Sequence, residues 1–361
     1  MKPTYDIPAL PPTELVESKA ILKAAAKAHR YLAELKGRAA SIPNQGILLD
    51  TLSLQEAKAS SEIENIVTTQ DELFQIEATR EVFGSAEAKE VARYNAALKQ
   101  GFQRLLETGG FITNNALIEI YQILKETTAE FRTLPGTVLK NDHDDIVYVP
   151  PQESAEILRH MRKLEVFIND SEECDLDPLV KMAIVHHQFE SIHPFSDGNG
   201  RIGRILNVLY LTQQDLLEIP ILYLSRYITQ NKAGYYQLLQ STRDTGEWEP
   251  WVLYMLDAIY QTSKQTLFLV DQIKALMGAY KTHMRTEHQK IYSQDLLNNL
   301  FKHPYTRIEY VVDELGVGRQ TAGRYLDQLA ESGLIEKVSK GVNNYYINIP
   351  LVELLTNGYD D

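Results

Sequence analysis

The run Ile192-His193-Pro194-Phe195-Ser196-Asp197-Gly198-Asn199-Gly200-Arg201-Ile202-Gly203-Arg204 holds the densest chemistry of the 361-residue chain. Met182, Val185, Phe189 and Ile192 recur at helical spacing before it, and Pro194 forces a break, which puts His193 at a helix end. Leu206, Leu209 and Tyr210 predict another helix after it. The turn between them offers small residues at a helix N-terminus, where free backbone N–H groups and the helix dipole favour an anion. Gly198 and Gly200 let the backbone approach that anion closely. Arg201 and Arg204, three residues apart, share one face and add two fixed positive charges with bidentate geometry. Asp197 beside a phosphate calls for a cation between them, and Mg²⁺ is the expected one. His193 adjoins this cradle and can take a proton from a hydroxyl near neutral pH. Together the parts describe a nucleotide–Mg²⁺ site with a general base.

Rival readings of the same residues are weaker. Gly198 to Gly203 matches the G-x-G-x-x-G pattern of dinucleotide folds, with Glu218 further on, but the preceding segment is helical where a strand is needed. A calcium loop starting near Asp197 and Asn199 fails because Arg201 and Ile202 stand where Asp or Asn and Gly are required. His186, His187 and His193 lack zinc-ligand spacing, and adjacent histidines on a helix point to different faces, so packing is expected of His186 and His187.

The elements that must position these residues are mostly helical. Helices are expected from Thr13 (with Glu14 in the first turn) to a stop at Gly37, over Leu52 to about Glu64, and over Ser85–Thr108. Further helices are expected from Asn114, at Glu153–Asn169 and Asp177–Ile192, after Arg201, and around Trp248–Ser263. One β-hairpin interrupts them: Thr137-Val138-Leu139 and Ile146-Val147-Tyr148-Val149 flank the turn Asn141-Asp142-His143-Asp144-Asp145. The tail changes grammar. Helices at Ser293–Phe301, Arg307–Leu315 and Arg319–Ser332 precede strands at Leu334–Val338 and Tyr345–Ile349 around Lys340-Gly341-Val342-Asn343-Asn344, the order of a winged helix. The fold class expected is mainly α, in three parts: an N-terminal helical region over 1–110, a core with its following helices over 111–284, and a winged-helix-like module over 285–361.

Composition narrows the function classes. Hydrophobic residues make up 44% and charged residues 24%, which is globular rather than disordered. No apolar run is long enough to span a membrane, no basic-then-apolar leader opens the chain, and the lone Cys174 cannot build a disulfide or a zinc cluster, so a cytoplasmic protein is expected. The net charge of −13 argues against a nucleic-acid coat. From Arg285 to Ile349 eight Lys and Arg face eight Asp and Glu, without the excess of DNA binders, so DNA is a less favoured partner than protein.

His193 to Arg204 resembles the signature of the Fic (fido) family of protein adenylyltransferases, H-x-F-x-[DE]-G-N-G-R-x-x-R, at every defined position. The resemblance extends from the N-terminal helical region to about Ser263. It implies a fido helical core that transfers AMP from ATP to a Tyr, Thr or Ser hydroxyl of a target protein or of itself, releasing pyrophosphate. In that likeness His193 is the base, Asp197 the Mg²⁺ ligand, and Asn199 with Gly198 and Gly200 the holders of the α- and β-phosphates. Arg201 pairs with the β-phosphate and Arg204 with the γ-phosphate. The hairpin residues Thr137, Val138, Leu139, Ile146, Val147 and Tyr148 resemble the family's target-docking flap, an exposed strand edge that an extended peptide can join. Tyr235 and Tyr236 resemble residues beside the nucleotide base.

Upstream, Ser60-Ser61-Glu62-Ile63-Glu64-Asn65 contains [ST]-x-x-x-E-[GN] at the end of an N-terminal helix, as in the family's N-terminally inhibited class. The resemblance implies that Glu64, with Ser60 and Asn65 around it, reaches Arg204 and takes the place of the γ-phosphate. Two other functions stay open: removal of AMP by the same site, and a DNA-binding regulator whose core senses nucleotide. A homodimer is compatible with either.

Overall fold

The computed structural model describes residues 5–358 except 14, 16, 80–83, 141–142, 171–174 and 341–342. Glu14, Asn141, Asp142, Cys174, Gly341 and Val342 of the sequence reading lie outside the described residues. Helices dominate, and two small antiparallel sheets interrupt them.

The N-terminal region contains α1 (Lys19–Ala40), α2 (Gly46–Ile63), α3 (Gln70–Thr79) and α4 (Ala86–Glu107). The first helix starts later than Thr13 suggests, because Ser18 accepts the Ile21 N–H as the N-cap. It also runs past Gly37, since Leu35 and Ala39 on either side keep the same buried face. α2 starts six residues before Leu52, and α3 has no counterpart in the sequence reading. α2 is buried almost all round, a reason its start is hard to read from periodicity.

The core follows as α5 (Asn114–Lys125), the hairpin β1 (Leu139–Lys140) and β2 (Ile146–Tyr148), then α6 (Ser154–Asn169), α7 (Pro178–Ile192) and α8 (Asn199–Gln213). Leu139 pairs with Tyr148 and Lys140 with Ile146, so the hairpin is shorter than expected and Thr137 and Val138 lie outside it. α7 and α8 are buried almost all round and form the centre; the Trp251 indole donates to the Ala183 carbonyl at 2.8 Å, fastening α7 to a later helix.

α9 (Leu224–Gln230) and α10 (Lys232–Thr245) come next, and α11 (Glu249–Glu287) then runs for 39 residues. It passes Ser263 and crosses the boundary expected at 284, because Met277, Tyr280 and Met284 continue its buried face and no proline follows its first turn. The tail comprises α12 (Gln294–Lys302), β3 (Tyr305–Thr306), α13 (Ile308–Leu315), α14 (Arg319–Glu331), β4 (Glu336–Lys340), β5 (Asn343–Ile347) and α15 (Ile349–Asn357). Its sheet has the order β3-β5-β4, with β3 unforeseen and the last two strands displaced by about two residues from the expected ones. Gly316, at φ +66°, makes the turn between α13 and α14. The Tyr280 hydroxyl lies 2.8 Å from both Asn348 Oδ1 and the Leu334 carbonyl, joining α11 to this tail. The Tyr310 hydroxyl, 2.6 Å from the Glu77 carbonyl, joins it to α3. Among the described residues no helix is long and apolar enough to cross a membrane.

Candidate active site

His193 is the C-cap of α7 and adopts φ +51°, ψ +59°, a left-handed conformation uncommon for residues other than glycine. The chain then turns through Pro194 to Asp197 and enters α8 at Gly198, whose φ of +73° suits glycine. Asn199 holds this turn closed: its Oδ1 accepts the Phe195 N–H at 2.8 Å and its amide donates to the Phe195 carbonyl at 2.9 Å. Buried to 1% exposure, the Asn199 side chain is engaged by the turn itself. Phe195 stacks on Tyr121 with ring centroids 4.3 Å apart, which anchors the turn against α5.

Arg201 and Arg204 are both 1% exposed on the first turns of α8. Their partners come from distant elements. Glu64, at the C-cap of α2, places one carboxylate oxygen 2.6 Å from Arg201 Nε and the other 3.0 Å from Arg204 Nη2. Arg204 Nε donates to Ser60 Oγ at 2.7 Å and Nη2 donates to the Ser60 carbonyl at 2.8 Å. The single carboxylate therefore bridges both arginines, where the sequence reading foresaw only Arg204. Burial works against the Arg204 charge, but Glu64 and its neighbours hold the guanidinium more firmly protonated than usual. Asn65 follows at φ +63°, and its Oδ1 accepts from Lys232 Nζ at 3.4 Å.

Sequence reasoning missed Glu90 and Lys125. Glu90 on α4 accepts from Arg201 Nη1 at 2.5 Å and pairs with Lys125 at 3.3 Å. Burial raises its pKa, but the bonds to Arg201 and Lys125 outweigh burial and hold it below the usual range. Lys125, the last residue of α5, also lies 2.6 Å from Asp197 Oδ2. No spacing signal links residues 64, 90, 125 and 201; only the packing of α2, α4 and α5 around α8 does.

Asp197 stays 63% exposed at the rim. Among the described residues no three His, Cys, Asp or Glu side chains gather as a metal site. A single carboxylate suits Mg²⁺ all the same, since that ion takes one or two carboxylates and fills its shell with water and phosphate oxygens. The ammonium already resting on Asp197 marks the spot as one that accepts a cation.

Burial pushes the His193 pKa down to about 3, with Arg243 and Arg132 adding to the fall and the Glu190 carbonyl opposing it. Its ring is therefore neutral at physiological pH. His186 and His187 are fully buried packing residues, as expected. The Asn207 amide lies 3.0 Å from His186 Nδ1, and His186 Nε2 lies 2.8 Å from the Tyr235 hydroxyl. Tyr235 is thereby fixed in the core at 1% exposure, whereas Tyr236 is 47% exposed, so the pair divides between core and surface. The hairpin stands beside this site. The Tyr148 hydroxyl donates to the Ser191 carbonyl at 2.6 Å, and the Arg243 guanidinium lies 4.2 Å from the Tyr148 ring centre. Ile146, by contrast, is 51% exposed.

Three family models match in sequence: Fic/DOC family N-terminal over residues 22–103, Fic/DOC family over 111–211, and protein adenylyltransferase SoFic-like, C-terminal domain over 276–351. The protein adenylyltransferase Fic of Aedes aegypti is 24% identical, over 52% of this chain and 36% of its own length. The protein adenylyltransferase fic-1 of Caenorhabditis elegans is also 24% identical, over 42% of this chain and 34% of its own. The chain thus spans about a third of the length of these curated relatives. A crystal structure of a Fic family protein from Desulfovibrio desulfuricans shares the fold with a TM-score of 0.59 at 21% identity, covering 92% of this chain and 97% of that one. A cradle of two buried arginines after a helix-capping histidine, these three matches in series and that shared fold place the chain in the Fic/DOC family.

Proposed function

We propose that this chain is a protein adenylyltransferase that moves AMP from ATP to a hydroxyl side chain of a target protein or of itself, and that Glu64 holds it inactive. The observation that carries the reading is the Glu64 carboxylate ion-paired with both Arg201 and Arg204. Two buried guanidiniums at a helix N-terminus suit a polyphosphate, and an acidic side chain sits in that place. Relatives named protein adenylyltransferases support the same chemistry.

In this reading Arg201 and Arg204 hold the β- and γ-phosphates, with the N–H groups of Gly198 and Gly200 toward the phosphate chain. Asp197 would hold Mg²⁺, which supplies charge neutralisation on the polyphosphate when bound. A target segment lies along the hairpin at Leu139 and Ile146 to Tyr148, which brings its hydroxyl to His193. His193 takes the hydroxyl proton as the oxygen forms its bond to the α-phosphorus. The bond from that phosphorus to the bridging oxygen breaks, and pyrophosphate leaves with the electron pair. Glu64 competes with the γ-phosphate for Arg204, leaving any bound ATP with its α-phosphate misaimed. The tail reads as a winged-helix module for protein contacts, since Arg319 is paired with Glu309 and Lys337 with Asp327 rather than presented as a basic face. The balance of charge leaves the reading without a DNA requirement, and the lone Cys174 suits a reducing cytoplasm.

Labelled ATP and Mg²⁺ test the proposal with wild type, Glu64→Gly and His193→Ala side by side. Glu64→Gly is expected to raise label on protein. Adding His193→Ala is expected to remove it by about 10²–10⁴-fold, the worth of a positioned base. Label unchanged by either substitution overturns the reading, and loss of label from a modified target in wild type favours AMP removal instead.

A further inference from the structure

Arg132 lies between α5 and the hairpin and is 6% exposed. Every acceptor the guanidinium finds is a backbone carbonyl. Nε donates to His193 at 2.8 Å, and Nη2 donates to Pro151 and, at 3.4 Å, to Ile192. The Arg132 backbone N–H donates to Pro194 at 2.8 Å. Nη1 is buried without a partner among the described residues. Burial holds its pKa below the usual arginine range, and no carboxylate offsets that fall.

Burying a guanidinium without an acid is costly, so it persists where it secures something else. Here it secures two things at once. Two of the guanidinium's carbonyls belong to Ile192 and His193, where α7 ends and its dipole leaves negative partial charge, and the Arg132 backbone N–H adds Pro194. His193 stands among them in its left-handed conformation, a state that surrounding contacts must over-determine. The guanidinium's third carbonyl, Pro151, lies three residues beyond the end of β2. Arg132 thus ties the exit of the hairpin to the backbone of the histidine.

We propose that Arg132 is a positioning residue for His193, fixing the left-handed backbone that aims the imidazole and the distance from that imidazole to the hairpin. Its kinetic consequence rests on the adenylyl-transfer reading, whereas its structural consequence does not. Other charged groups toward the His193 ring are Arg243 from α10 and Asp197 from the turn, with the Glu190 carbonyl from α7.

The experiment adds Arg132→Gln and Arg132→Lys to the Glu64→Gly protein and measures transfer, ATP affinity by calorimetry and the His193 ring by NMR without nucleotide. A misplaced general base costs on the order of 10²-fold. Arg132→Gln is expected to lower kcat by about that factor while ATP affinity stays within about twofold, and Arg132→Lys to recover part of the rate. The His193 ring resonances are expected to move and its protonation midpoint to rise. Should Arg132→Gln not fold, the lysine variant carries the same readouts. Unchanged kcat, or ATP affinity falling in step with kcat, overturns the proposal. If the Glu64→Gly parent transfers no AMP, the adenylyl-transfer reading fails, and the NMR decides for Arg132 alone: unmoved His193 resonances overturn it and displaced ones uphold it.

Discussion

Lys125 rests its ammonium 2.6 Å from the Asp197 carboxylate, the group proposed to hold a divalent cation. The pair is partly exposed, and such ion pairs are worth only about 0.2–1 kcal/mol, so the lysine competes with a cation without blocking it. Lys125→Met is expected to lower the Mg²⁺ concentration for half-maximal ATP binding by up to about fivefold. Calorimetric ATP titrations at a series of Mg²⁺ concentrations measure this. A higher Mg²⁺ requirement in the variant refutes competition.

Glu190 has a buried Oε1 with no hydrogen-bond partner among the described residues. Burial raises its pKa from 4.5 to about 7 against the pull of Arg204 and Arg243. A carboxyl whose folded pKa is raised binds its proton more tightly in the native state. Its contribution is therefore full below pH 4.5 and is lost as pH rises through about 7. Glu190→Gln removes that loss, so the variant is expected to be more stable than wild type at pH 8 by about 1–3 kcal/mol and to converge with it near pH 5. Thermal melts across that range check the crossing; a gap independent of pH excludes titration of Glu190 as its source.

The same carboxylate explains a glycine of α8. A Cβ at Gly203 would lie 2.7 Å from Glu190 Oε1 and 3.2 Å from Phe189 Cδ1. Both neighbours are buried, so neither can swing into solvent. Gly203→Ala is expected to cost about 1–3 kcal/mol in denaturant unfolding, as overpacking does. Combining it with Glu190→Ala should recover part of the loss; simple additivity would show that the crowding arises elsewhere.

Much of the candidate site was legible because it is local. The spacing from His193 to Arg204 places a helix end, a glycine turn and two arginines on one face without any tertiary knowledge. The hairpin was legible in type but not in extent, since Thr137 and Val138 have strand propensity and find no partner strand. Glu64 became a candidate only through resemblance, and its second partner, Arg201, emerged only from packing. Glu90, Lys125 and Arg132 carry no sequence signal at all: each is an ordinary charged residue until α4, α5 and the loop before the hairpin fold against α8. Element ends failed where tertiary burial overrides local stops, as at Gly37 and along α11 past Ser263.

The two adjacent tyrosines should part company under mutation. Tyr235 is locked in the core, its hydroxyl 2.8 Å from His186 and its ring in a cluster with Trp251 and Tyr254. Tyr236 begins the exposed side of the same helix, its ring 5.1 Å from that of Tyr235. Tyr235→Phe keeps the ring and removes the hydroxyl, leaving buried His186 short of a partner. The expected result is a loss of about 1–3 kcal/mol in unfolding with little change in the KM for ATP. Tyr236→Ala removes an exposed ring instead, so stability should move by less than about 0.5 kcal/mol. If that ring stacks on the adenine, the KM for ATP should rise by about 5- to 100-fold, since base–aromatic stacking is worth about 1–3 kcal/mol. ATP and GTP compared on the two variants separate the roles, because stacking tolerates either base while edge recognition does not. A KM that follows Tyr235 rather than Tyr236 would place the base on the core side of α10 and reverse the assignment.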